Sequence, residues 1–371
     1  MKKYLTLSLL LSAVCQLSAE NYSKISSKHA QYNGTTLHFE GEVLLEHELG
    51  TMLSEKAVCI KKSETDHSLF QIELEDKVKL VFSTGGELFC HKAHFDLETE
   101  RGILEPKPGE QIIYVHKSQK QSENFPLEMR CDAIELVLGK KSTDQKSEYF
   151  VQTIRAMKKE NECKLIQAEN TLSTPEIEWN LSSDTITLKE PTGLLHTRLS
   201  SEKKQTPIEL RCAQMIWEKE LKNILLQKEV EMQSSEFGTV VAERARVQFV
   251  EEDNQLIPKF LAAEESVKLS SSSEELKRCA VAEKITYDFS SKKTLLAGTK
   301  GKKVLLWDER KGVNICADQI EIKRGSSLED YAFKGIGNVR FGFTSNEHSL
   351  LKQLFPFYNP NMEVEDGRTS S

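Results

Sequence analysis

A short strand–turn–strand unit returns about eight times along this chain, and a unit so small cannot bury its own apolar face. Stacked copies can, and they leave a continuous apolar interior. The second half of the unit is a small residue, usually followed by an acid, and then an apolar strand. Its copies are Ser54-Glu55-Lys56-Ala57-Val58-Cys59, Cys90-His91-Lys92-Ala93-His94-Phe95 and Cys131-Asp132-Ala133-Ile134-Glu135-Leu136. They continue through Cys212-Ala213-Gln214-Met215-Ile216-Trp217 and Ala242-Glu243-Arg244-Ala245-Arg246-Val247. Ala282-Glu283-Lys284-Ile285-Thr286-Tyr287 and Ala317-Asp318-Gln319-Ile320-Glu321-Ile322 complete the set, with a weaker copy at Ala168-Glu169-Asn170-Thr171. The small residues stand 30 to 44 positions apart.

The first half recurs as well. It opens with Phe39-Glu40-Gly41-Glu42-Val43-Leu44-Leu45, continues at Val78, Val230, Val267 and Val304, and closes with Phe333-Lys334-Gly335-Ile336-Gly337-Asn338-Val339-Arg340-Phe341. Inside each half the period is two. Ala245, Val247 and Phe249 share one face, and Arg244, Arg246 and Gln248 the other. That alternation predicts strands with one dry and one wet face. The acid after the small residue has the wrong parity for a flat strand, so a bend or bulge is expected there, eased by the small side chain.

Met1-Lys2-Lys3-Tyr4, the apolar run Leu5–Val14 and Ser18-Ala19 before Glu20 read as a secretory signal peptide, residues 1–19. Cys15 makes a poor lipoprotein signal, because Val14 before it is not small. No later stretch reaches the ~20 apolar residues of a membrane helix. The expected product is therefore exported and soluble. Loss of Lys2 and Lys3 would take the formal charge from -7 to -9. No basic cluster points to nucleic acid.

The expected organisation is an N-terminal repeat lobe at 20–200, a C-terminal lobe at 201–345, and a tail at 346–371. Gly139–Ser147 and Arg198–Thr206 read as loops, and Ser270–Ser273 as a hairpin tip. Glu347–Phe355 reads as a short helix with Leu350, Leu351 and Leu354 on one face, ahead of a polar end from Asn359.

Seven of the eight cysteines would remain after export. Cys90, Cys131 and Cys212 occupy the small position of the repeat, where Ala and Ser alternate with them, so they read as fillers. Cys59 and Cys163 stand out of register and are the candidates for any disulfide. No phosphate loop, paired-Cys zinc spacing or nucleophile elbow is present. His91 and His94 fall on opposite faces of a strand and cannot chelate together without a kink. The repeat acids give no unique pair for acid–base work. The expectation is a protein without cofactor or metal, and not an enzyme.

Gly337-Asn338-Val339-Arg340-Phe341, Ala317-Asp318-Gln319-Ile320-Glu321-Ile322 and Gly41-Glu42-Val43-Leu44-Leu45 resemble the strands of the OstA-like family of lipopolysaccharide-transport proteins. The resemblance covers residues 30 to 345, most clearly at both ends and least between 100 and 200. It implies an all-β, elongated, twisted half-open β-jellyroll, or β-taco, with acyl chains in an apolar trough. On this chain the trough lining would be Val43, Leu45, Val78, Leu80, Ala93, Phe95, Val230, Met232, Val247, Ile285, Tyr287, Val304, Ile320, Val339 and Phe341. The implied partners are lipopolysaccharide or a related glycolipid, inner- and outer-membrane transport components, and further copies joined end to end in the periplasm. The chain is longer than a usual bridging subunit, its middle copies have decayed, and it lacks the barrel of the outer-membrane members. The period alone does not separate an open trough from a closed sandwich core. With a closed core, the alternative is an envelope scaffold that binds a protein partner.

Overall fold

The computed structural model describes residues 24–64, 69–116, 126–143, 146–198, 205–235, 237–252, 255–271, 278–309, 312–324 and 331–342. The expected signal peptide, C-terminal helix and polar tail lie outside them, as do Ser272 and Ser273 of the expected hairpin tip. The described residues are all-β, and their strands pair antiparallel. In chain order the strands are β1 (Lys24–Ser26), β2 (His29–Asn33), β3 (Thr36–His47), β4 (Gly50–Lys61), β5 (Leu69–Phe82), β6 (Glu87–Asp96), β7 (Arg101–Glu105), β8 (Ile112–His116), β9 (Leu127–Cys131) and β10 (Ala133–Thr143). Then come β11 (Lys146–Met157), β12 (Cys163–Gln167), β13 (Asn170–Thr174), β14 (Glu176–Asn180), β15 (Thr185–Lys189), β16 (Thr192–Arg198), β17 (Gln205–Arg211), β18 (Gln214–Glu218) and β19 (Asn223–Ser234). The last nine are β20 (Gly238–Glu252), β21 (Gln255–Ser270), β22 (Arg278–Asp288), β23 (Lys293–Ala297), β24 (Val304–Asp308), β25 (Val313–Ala317), β26 (Gln319–Arg324), β27 (Tyr331–Ile336) and β28 (Arg340–Gly342).

They fall into two compact units. One takes the described residues of Met1–His116 and Ala133–Thr153, the other those of Lys117–Asp132 and Ile154–Ser371. The division near residue 153 departs from the expected lobe boundary at 200. The reason is pairing: β14 joins β15, β15 joins β18, and β18 joins β19, so residues 176–198 belong to the C-terminal sheets.

Each unit is organised on four long strands that bend and so belong to two sheets at once. In the first unit these are β3 to β6. Their outer halves pair with β2 on one side and β7 on the other, followed by β10. Their inner halves lie between β1 and β8. In the second unit the quartet is β19 to β22. One sheet continues to β18, β15 and β14 and, on the far side, to β23, β26 and β27. The other continues to β17, β16, β13, β12 and β9, and to β24, β25 and β28.

The bend is a two-against-one bulge, and it explains the parity of the repeat. In β3, Gly41 and Glu42 both have positive φ, 80° and 50°, and together oppose the single residue Glu55, since Glu40 pairs with Lys56 and Val43 with Ser54. Asp76 and Lys77 do the same to His91, Lys228 and Glu229 to Glu243, and Glu265 and Ser266 to Glu283. The bulge expected at the acid thus lies in the partner strand, at the residues just before the repeat Val. On the unbulged strand the buried face shifts register: Ser54 and Ala57 are both buried, as are Ala242 and Ala245, and Ala282 and Ile285. The small residue turns inward at the corner, where there is no room for more. Ser54 Oγ donates to Lys56 O at 2.8 Å, and Cys212 Sγ to Gln214 O at 3.2 Å.

The wet rows beside these corners alternate in charge. Glu40, Lys56, Glu75, Lys92 and Glu105 run across five strands in the first unit, with Lys92 Nζ 2.7 Å from Glu75. Arg244, Glu264 and Lys284 repeat this in the second, with Lys284 Nζ 2.6 Å from Glu264. Such exposed pairs add little stability, but a one-residue slip would bring a different set opposite each charge.

Two local expectations are corrected. Ala168-Glu169-Asn170-Thr171 is not a corner: Ala168, at φ 53°, sits in the tip of the β12–β13 hairpin. The corner falls instead at Thr174-Pro175-Glu176-Ile177, where Thr174 and Ile177 are both buried and Thr174 Oγ1 donates to Glu176 O at 2.9 Å. Nor is Gly139–Ser147 a loop, because β10 runs to Thr143 and β11 starts at Lys146. The Phe150 ring lies over Gly139, where an added Cβ would come within 2.4 Å of it, and Lys140 and Lys141 lie over Tyr149 and Phe150.

Except in β3, where Gly41 takes one of the two positions, each of these bulges holds two adjacent non-glycine residues left-handed, with a strain on the order of 1–2 kcal/mol per residue. Ser266→Gly is therefore expected to raise the urea midpoint, and Ser266→Val, which adds a β-branched side chain, to lower it. Equal midpoints for both variants would remove the bulge from the stability argument.

Candidate functional site

Thirteen of the fifteen expected lining residues are buried, each 4 % exposed or less: Val43, Leu45, Val78, Leu80, Ala93, Phe95, Val230, Met232, Val247, Ile285, Tyr287, Val304 and Ile320. They pack in the interior of their units, and Ala93 also borders the depression on the wet face of the first unit described below. Val339 and Phe341 differ, at 36 % and 56 % exposed. They lie in and beside the last described strand, so no further described strand stacks against them.

Apolar inner faces meet solvent elsewhere, in a cleft of the second unit that none of the fifteen lines. From one sheet, β9, β12, β13 and β16 supply Leu127, Leu165, Leu172 and Leu195; from the other, β18, β19 and β20 supply Met215, Trp217, Ile224 and Phe249. Gln167, Asn170 and His196 form a polar rim. The rim is fixed by backbone bonding: the His196 amide donates to Asn170 Oδ1 at 2.6 Å, and Gln167 pairs with Asn170 across the hairpin tip. The enclosed space is about 70 Å³, and about 590 Å³ with the mouth open to solvent included. At a share of ~30 Å³ per liquid water, the enclosed part holds about two waters, or the end of one alkyl chain. A whole chain would need the two walls to part.

One carboxylate ties the cleft strands together. Asp132 follows β9, which carries Leu127, and is 6 % exposed. Its Oδ2 accepts the amides of Lys159, Glu160 and Asn161 at 3.1, 2.8 and 2.6 Å, and its Oδ1 accepts Asn161 Nδ2 at 3.2 Å. These donors form the turn that leads into β12. Burial pushes the Asp132 carboxyl upward, but the Asn161 and Glu160 amides, the Asn161 side chain and the Lys159 amide outweigh it and bring it down to about 2. At the far end of the same unit Arg278 Nε donates to Asp308 Oδ2 at 2.7 Å, with both side chains buried and the guanidinium 5.2 Å from the Phe333 ring centre.

A second depression, about 520 Å³, lies over the charge rows on the wet face of the first unit. Its charges are engaged with one another: Lys92 with Glu75, and His94 Nδ1 3.3 Å from Glu73. His91 Nδ1 turns instead to Asp76, at 3.4 Å. Among the described residues no three His, Cys, Asp or Glu side chains gather in a way that could hold a metal ion. None of the seven described cysteines, Cys59 and Cys163 included, is joined in a disulfide. Burial pushes the Cys59, Cys90 and Cys279 thiols up to about 12, and Cys212 up to about 11.

The sequence reading named only four cleft residues, Asn170, Met215, Trp217 and Phe249, and read them as parts of the repeat strands or core. The other walls come from the segment where the repeat decays. The available signal was the run of short alternating stretches there, Leu165 to Leu172 and Leu194 to Leu195, which lack the small–acid marker.

No family model matches the chain, and no curated protein matches it. Among solved structures it is similar to LptH of Pseudomonas aeruginosa, described as the LptA-homologous periplasmic component of the conserved lipopolysaccharide transport device. The match has 9 % identity and a TM-score of 0.23, and covers 46 % of this chain and 82 % of that one. A TM-score that low carries no argument about what this chain does.

Two pH responses follow from these groups. A depressed Asp132 adds stability that is present above about pH 4 and is lost as pH falls toward 2. Asp132→Asn is expected to cost about 1–3 kcal/mol at neutral pH and to flatten this acid limb in denaturant titrations. The raised thiols act at the other end. Their stabilisation is complete below about pH 8.5, where the unfolded thiols are still protonated, and is lost as pH rises toward 11 to 12. Cys59→Ala should make the alkaline fall in urea midpoint shallower, and an unchanged slope would count against it.

Proposed function

We propose that the chain is a periplasmic protein that binds lipopolysaccharide or a related glycolipid through its acyl part and passes it toward the outer membrane without catalysis. The observation that carries this reading is the cleft of the second unit, where Leu165, Leu172 and Leu195 face Met215, Trp217 and Ile224 under a polar rim. An apolar slot with a polar mouth suits a ligand with a greasy tail and a hydrogen-bonding head. Each methylene buried contributes about 0.8 kcal/mol, so the chain end that fits the enclosed space is worth a few kcal/mol, and deeper entry must offset the parting of the walls. In this proposal the other thirteen interior residues line the trough only when the sheets separate. The partners would be transport components at the two membranes and further copies of the chain added at the terminal strands.

The sealed interior favours a second reading, a repetitive envelope scaffold with a closed core and a protein partner. A native mass measurement separates the two. Freshly purified protein carrying co-purified lipid supports transport, and a bare mass supports the scaffold.

Binding is tested by displacement of the fluorescent apolar probe N-phenylnaphthylamine with purified lipopolysaccharide, together with Trp217 emission. Leu195 is half-buried, so Leu195→Glu should fold while placing a charge in the mouth. Affinity for the probe is expected to fall about tenfold or more, equivalent to ~1.4 kcal/mol. Wild-type affinity in this variant would exclude the cleft as the binding site.

A further inference from the structure

In the inward rows of the cleft wall, two positions carry carboxamides instead of apolar side chains. The inward row of β12 is Cys163, Leu165 and Gln167, and that of β13 is Asn170, Leu172 and Thr174. Across the sheet Gln167 pairs with Leu127 on one side and with Asn170 on the other. Beyond Asn170 the wall returns to Leu195, which pairs with Ile208. Gln167 and Asn170 thus interrupt an otherwise apolar row at the mouth, opposite the wall that carries Trp217, Ile224 and Phe249.

The hydrogen-bonding capacity of this pair is largely unspent. The His196 amide donates to Asn170 Oδ1 at 2.6 Å. A backbone N–H can only donate, so this bond fixes which end of the Asn170 carboxamide is oxygen. Asn170 Nδ2 keeps both N–H groups without an acceptor among the described residues, and the Gln167 carboxamide has no hydrogen-bond partner among them. Trp217 across the cleft is a donor only, and its indole N–H makes no hydrogen bond to a described residue either. A chain that displaces water from this mouth leaves these groups unpaired unless its head supplies partners.

Charge narrows the choice of head. No lysine or arginine lines the cleft. The hairpin tip between Gln167 and Asn170 carries an acid, Glu169, whose Oε2 lies 3.7 Å from His196 Nδ1. On the other wall Lys222, whose carbonyl accepts the Phe249 amide, is engaged with Glu251 at 2.6 Å. A carboxylate or phosphate drawn into this mouth would lose water and meet no lysine or arginine to replace it. An ester or amide carbonyl needs only donors, and a hydroxyl beside it can use either end of the Gln167 carboxamide.

We propose that the cleft selects an acyl chain joined to its head by an uncharged ester or amide beside a hydroxyl. Asn170 Nδ2 donates to the carbonyl, and Gln167 bonds the hydroxyl. The inference rests on the reading of the cleft as an acyl site and adds which head that site accepts. A chain ending in a bare carboxylate is passed over in favour of esters and amides of the same chain.

The test displaces N-phenylnaphthylamine from the full chain with monolaurin and with laurate, which share one chain length, below their micelle concentrations and at ~pH 8, where a carboxyl group is ionised. Monolaurin is expected to bind about tenfold tighter than laurate. Equal affinities overturn the head-group proposal and leave the cleft as an acyl site. Failure of both lipids to displace the probe overturns both readings. Asn170→Asp keeps the acceptor for the His196 amide and removes the donor. It is expected to lower monolaurin affinity about tenfold while probe affinity stays within about twofold of wild type. Gln167→Leu extends the apolar row and should cost monolaurin roughly threefold, with the probe bound as tightly or more tightly. Unchanged monolaurin affinity in both variants overturns the proposal. A parallel fall for probe and monolaurin marks a structural role for the pair and overturns it as well.

Discussion

Everything in the fold depends on how a strand changes direction without losing its ladder. Two left-handed residues on one strand stand opposite one on the next, and the chain pivots between them. The pivot obliges the inner side chain at that level to be small, which is why Ser54, Ala242 and Ala282 recur there. It also turns the following acid to solvent, where Glu55 and Glu283 meet Lys77 and Lys302. One steric requirement therefore fixes backbone, core and surface chemistry together. Where the long strands are replaced by pairs of short ones, the same corner becomes a short break, Cys212-Ala213 between β17 and β18 or Asp318 between β25 and β26.

The distribution of apolar surface follows from the regularity of these corners. In the two quartets, β3 to β6 and β19 to β22, neighbouring long strands keep their pairing through the bend, and the interior closes around Phe95, Leu45, Ile285 and Tyr287. The cleft opens on the flank built from short strands, where the walls come from separate hairpins. Beside the ladders of this flank, Asp132 fixes the end of β9 to the turn before β12, gathering three backbone amides onto one buried carboxylate.

The alternation of Ala245, Val247 and Phe249, or of Ile285 and Tyr287, was enough to read strands and their buried faces, because burial on one side of a strand forces period two. The wrong parity of the acid was enough to call a bulge, though not to place it on the neighbouring strand, since pairing is a long-range property. Thr174-Pro175-Glu176 escaped notice because Thr and Pro do not look like the small–acid marker, although Thr174 plays the same part as Ser54. Val339 and Phe341 carry the repeat pattern perfectly and are still exposed: a strand's buried face needs a neighbour, and the pattern says nothing of whether one follows. The cleft was illegible for a related reason. Its two walls come from strands far apart in the chain, and which of them face one another is a long-range property.

The seven described thiols remain single, and four of them are held protonated by burial. Cross-links therefore contribute nothing to the architecture of the two units, which rests on backbone ladders and close packing alone. Four of these thiols ionise so far above neutral pH that little thiolate forms, and so they react slowly with disulfides and alkylating agents.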